Sequence, residues 1–141
     1  MRRALVCAAM LVSGCGFGNK TNIMFECQSP SGKLVATFYR VSSGDRPGDQ
    51  ALSVNIRPFH SRFKSGMHSF SFRHGYDAII HWDSDQAMRI EYPRGSEILH
   101  QERVVFGSSQ TFDANHGIHI DYQEKISTHG YFLVEKRCFN T

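Results

Sequence analysis

Apolar and polar side chains alternate with period two along most of the chain, and that spacing predicts strands rather than helices. Leu52, Val54 and Ile56 alternate with Ser53, Asn55 and Arg57, and Phe70 and Phe72 with Ser69, Ser71 and Arg73. Met88, Ile90 and Tyr92 alternate with Arg89 and Glu91, and Ile118, Ile120 and Tyr122 with His119 and Asp121. Tyr131, Leu133 and Glu135 oppose Phe132, Val134 and Lys136, a final strand apolar on both faces for most of its length. Further strands are expected over 23–27, 34–41, 78–82 and 104–106. No stretch of ten residues keeps a clean helical period, and the nearest approach, 97–105, is short and mixed. Ser29-Pro30-Ser31-Gly32 has the Pro and Gly positions of a type I turn. Asp83-Ser84-Asp85 reads as a hairpin loop, and 42–50, with Gly44, Pro47 and Gly48, as the longest flexible connection. The pattern predicts an all-β fold, a small antiparallel β-sandwich or barrel of about eight or nine strands.

The first residues follow a different rule. Met1-Arg2-Arg3 is a short positive start, residues 4–12 are an apolar run, and Ser13-Gly14 are small residues before Cys15. That order is the layout of a cleaved export signal. As a helix the apolar run reaches only about 14 Å against the roughly 30 Å of a bilayer core, too short to span it. Val12-Ser13-Gly14-Cys15 resembles the lipobox of bacterial lipoproteins. The resemblance implies cleavage before Cys15, lipid on its thiol and acylation of the new amino terminus; apart from that lipid, no cofactor is expected. It divides the chain into a signal peptide over 1–14, a short tether over 15–21 and one β domain over 22–141. Gly16 stands where an Asp often marks inner-membrane retention in that class. In a host with two membranes this favours the periplasmic face of the outer membrane. An ordinary secretory signal and an N-terminal core strand stay open as other readings of the same residues.

Export changes what the cysteines mean. Cys7 leaves with the signal and Cys15 carries lipid, so Cys27 and Cys138 remain. In an oxidising compartment two thiols in a small domain pair, here joining the first strand to the last. The metal-binding alternative lacks any C-x-x-C spacing.

Composition sharpens this only in part. A chain of 141 residues, 40 % hydrophobic and 21 % charged, holds one globular domain. The net charge of +3 includes Arg2 and Arg3 of the signal; without them 14 basic residues face 13 acidic ones. The eight histidines are His60, His68, His74, His81, His100, His116, His119 and His129. The densest group is 116–121, where His119 and Asp121 share a wet strand face; a zinc site needs three or four converging ligands, so no metal is assigned. No G-x-S-x-G elbow, H-E-x-x-H helix or phosphate-cradling glycine loop occurs. Asp83, Asp85, Glu91 and Glu97 are candidates for a carboxylate pair, but the first two read as hairpin loop and Glu91 as solvent-facing. The single tryptophan, Trp82, reads as core rather than as a sugar-stacking platform.

The sharpest asymmetry is that residues 50–76 contain no acid. They hold Arg57, Arg62, Lys64 and Arg73, with His60 and Phe63 among them, and these six residues form the candidate binding set. The part around Pro58 is expected to protrude, because Pro suits a central strand poorly; solvated arginines on a sheet face are the plainer alternative. An exported protein does not routinely meet nucleic acid, so the partners expected are anionic lipid, cell-wall polymer or a protein face. The sequence therefore points to a non-enzymatic envelope lipoprotein that binds. An inhibitor or immunity-type lipoprotein capturing a toxic or lytic enzyme shares its size and address.

Overall fold

The computed structural model describes residues 18–105, 117–126 and 136–140. The signal, Cys15, His116, His129, Phe106 and most of the strand expected over 131–136 lie outside the described residues. Ten strands appear among the described residues: β1 (Lys20–Gln28), β2 (Leu34–Ser42), β3 (Gln50–Pro58), β4 (Phe70–Arg73), β5 (Ile79–Ser84), β6 (Ala87–Pro93), β7 (Glu97–Gln101), β8 (Val104–Val105), β9 (Ile118–Lys125) and β10 (Cys138–Asn140). They form two five-stranded sheets. Sheet A has the order β1-β2-β3-β4-β7 and sheet B the order β10-β5-β6-β9-β8. The all-β expectation holds, and the architecture is that of a small sandwich.

Alternation explains the core. Ala36, Phe38, Leu52, Val54, Phe70 and Phe72 of sheet A meet Ile80, Trp82, Met88, Ile90, Ile118 and Ile120 of sheet B. Full burial of each large side chain is worth roughly 1.5–3 kcal/mol. The Trp82 indole N–H donates to the Cys27 carbonyl at 3.0 Å, so the largest core side chain also ties one sheet to the other's backbone. The Cys27–Cys138 disulfide is formed, with Cα atoms 5.4 Å apart. It joins β1 and β10, which end their respective sheets.

The pairing is mixed rather than wholly antiparallel, because β10 runs parallel to β5 and β9 parallel to β6. Alternation fixes which face a residue takes but carries no information on strand direction. The stretch 97–105 is not helical. It forms β7, turns a corner at Glu102 and Arg103, and becomes β8. The Glu102 N–H donates to Ser69 O, just before β4 of sheet A, and the Arg103 carbonyl accepts from Ile120 N on sheet B, both at 2.8 Å. Its mixed pattern arises because β7 is a fully exposed edge strand, with no buried face to impose a period. The 29–32 turn forms as expected, with Gly32 N–H donating to Ser29 O at 2.9 Å. Gly32 has a φ of 76°, a backbone conformation that favours glycine. The hairpin turn after β5 falls one step later than expected: Ser84 pairs with Ala87, leaving Asp85 and Gln86 as the turn.

Candidate functional site

The outward face of sheet A is buried. Thr37 and Tyr39 of β2, Ser53 and Asn55 of β3, and Ser71 of β4 point away from the core, yet none is more than 5 % exposed. The connection from β3 to β4, residues 59–69, folds back over them as a strap. Its hold is largely polar. The Tyr39 hydroxyl donates to Ser65 O at 2.7 Å, the Asn55 amide donates to Met67 O, and Phe59 N–H donates to Lys33 O at 2.9 Å. Beneath it, the Ser53 hydroxyl donates to that of Ser71 at 3.0 Å. Burial raises the Tyr39 pKa, with its contact to Ser53 opposing, so this phenol stays protonated and available as a donor.

Arg57 and Phe63 fix the strap's middle. The Phe63 ring meets Tyr39 edge-on at 4.9 Å, and the Arg57 guanidinium lies 5.3 Å from the Phe63 centroid. Arg57 also donates to Thr37 Oγ1, to Asn55 Oδ1 at 3.1 Å and to Ser61 O at 3.3 Å, and pairs with Glu26 at 3.1 Å. The stretch read as protruding is thus laid flat, because Pro58 ends β3 and polar hooks on sheet A satisfy the returning backbone. Of the six candidate residues, Arg57 and Phe63 turn inward as structural fasteners. His60, Arg62 and Lys64 are exposed on the strap, and Arg73 is exposed at the end of β4, paired in register with Glu97 of β7. Sequence reasoning missed Thr37, Tyr39 and Asn55. The signal was present: outward positions of the central strands carry Ser, Thr, Asn and Tyr in place of the Lys and Glu of a wet face.

Where the strap rejoins β4, the His68 ring meets His100 of β7 edge-on at 5.2 Å, and His100 Nε2 lies 3.0 Å from Glu102 Oε1. Burial and the neighbouring His100 lower the His68 pKa, and Glu102 opposes them in part.

Sheet B carries a different arrangement. Glu91 is not solvent-facing: its side chain is 12 % exposed, with His81 Nε2 at 3.2 Å and Lys125 Nζ at 3.4 Å. Burial pushes its carboxyl up, but His81 and Lys125 outweigh burial and hold it below the usual range. The His81 ring stacks on Phe139 at 4.6 Å. Asp85 and Glu97 are held elsewhere. Asp85 accepts from the Ser31 hydroxyl and is lowered by it, and Glu97 lies 3.4 Å from His74 on sheet A. Asp83 stands exposed on β5. His119 and Asp121 stand exposed on β9. Among the described residues, no three His, Cys, Asp or Glu side chains converge as metal ligands. Comparison with protein-family models, curated proteins and solved structures finds no match.

Proposed function

We propose that this protein is an exported envelope lipoprotein, held by lipid on Cys15, that acts by binding an anionic partner at the membrane surface. The observation that carries this reading is the strap. It holds His60, Arg62 and Lys64 outward on a fixed backbone within a run, 50–76, that lacks any acid. The Cys27–Cys138 disulfide supports export, since such bonds persist in oxidising compartments. The commitment of Asp85, Glu91, Glu97 and His81 to partners within the protein supports binding over catalysis.

The test is a pull-down of the native protein in detergent, with mass spectrometry of the bait and its companions. An amino-terminal peptide beginning at acylated Cys15 is the expected result; an unprocessed or unmodified terminus overturns it. Cys15→Ser should leave the protein folded but absent from the membrane fraction. One dominant stoichiometric protein would instead favour the inhibitor or immunity-type reading.

A further inference from the structure

Of the eight large apolar side chains exposed among the described residues, four lie on or beside the outer side of sheet A: Ile23 (47 %) and Met24 (41 %) on β1, and Phe59 (43 %) and Met67 (63 %) on the strap. Ile23 pairs in register with Tyr39, the ring on which Phe63 rests, so the first half of β1 and the middle of the strap share one side of the molecule. Residues 64–67 turn there, with Met67 N–H donating to Lys64 O at 3.1 Å. The charges on these two segments have one sign. Residues 20–24 and 59–69 carry Lys20, Arg62 and Lys64 and no acid, and Glu26, further along β1 on the same side, is paired with Arg57. The outward side of sheet B is of mixed sign, exposing Asp83 and Asp121 together with Lys125.

We propose that this side of sheet A lies flat on an anionic lipid bilayer, with Ile23 and Met67 entering the interface and Lys20, Arg62 and Lys64 meeting headgroup phosphates. The inference rests on the lipid attachment proposed above and adds an orientation to it. Chain length argues for lipid as the occupant. Cys15 precedes the start of β1 at Lys20 by five residues, a reach of about 17 Å when extended. Acyl chains on Cys15 therefore enter the bilayer close to Ile23. The acyl chains on Cys15 hold the protein at the surface, and a basic patch adds an electrostatic attraction that selects which face meets it. Exposed apolar side chains ringed by cations match the headgroup boundary, where charge meets phosphate and short apolar groups reach the acyl region.

The experiment uses the acylated full-length protein in vesicles of phosphatidylcholine with or without phosphatidylglycerol. A polarity-sensitive dye is placed at Met67→Cys or, on the opposite sheet, at Asp121→Cys, and nitroxide-bearing lipids serve as quenchers. Quenching and a blue shift at position 67 but not at 121, in phosphatidylglycerol vesicles at low salt, are expected. Combining Arg62→Glu and Lys64→Glu should abolish that difference, since each cation lost lowers the lipid-facing population about fivefold. Equal signals at both positions in protein that floats with the vesicles overturn the orientation and leave the anchor standing. Protein that does not float overturns the anchor and the orientation with it. Burial of position 67 only after envelope protein is added overturns lipid as the occupant in favour of a protein face.

Discussion

His68 is the residue at which the chemistry of the strap depends most directly on pH. Its imidazole is pressed against His100 at the seam between strap and edge strand, and its pKa lies below the ordinary 6.5. The folded chain therefore binds this proton less readily than the unfolded chain. Stability from this site is fully present above the ordinary value and is lost as pH falls from it toward the depressed one. His68→Gln should flatten the slope of melting temperature against pH just below neutrality; a slope unchanged from the parent assigns it to other groups. The Glu91 contribution is also lost on acidification, but below its ordinary 4.5, so the two effects separate on the pH axis. At this scale the sequence was partly legible. Trp82 was readable as core because a lone indole in a small β domain has few other places to go. Glu91 does not face solvent as alternation implies, and the inward turn of Arg57 and Phe63 is not foreseeable from it, because each is half of a contact whose other half lies in a distant strand or loop. Periodicity says which face a residue takes, not what has been laid over that face.

At the scale of elements, the strap combines a rigid hold with an exposed outer surface. Phe63→Ala removes the ring contact with Tyr39 and the cation–π contact with Arg57, together about 1–2 kcal/mol. The sandwich should melt a few degrees lower, no more than that loss allows, while trypsin cleaves after Arg62 and Lys64 several times faster. Unchanged cleavage would mean that the backbone hooks alone hold the segment. Strands with one side in the core, such as β3, β6 and β9, were readable from alternation. β7 was not, since an edge strand exposed along its whole length has no environment to impress a pattern. The strap escaped for the opposite reason. Its hooks are carbonyls at Ser65 and Met67, and backbone acceptors leave no mark in a sequence.

For the whole molecule, the two sheets are joined at one side by the corner between β7 and β8 and at the other by the disulfide between β1 and β10. The bridge spans 111 positions in sequence, and loop-closure estimates for loops near this length run to about 4.7 kcal/mol. Reduction, or Cys27→Ser with Cys138→Ser, should lower stability by several kcal/mol in urea titration; an equal midpoint for oxidised and reduced protein would contradict this. The pairing was readable from the count of cysteines once export was assumed, whereas the parallel β5–β10 contact that sets Cys138 beside its partner was not. The staple also decides how the molecule answers to tension. A pull on the amino-terminal end peels β1 from β2 only as far as Cys27, where the load crosses the sulfur bridge to β10. Everything between the two cysteines is bypassed and feels no stretch. A machine threading this chain from its amino terminus would draw out a few residues and stall, until a reductant opened the way.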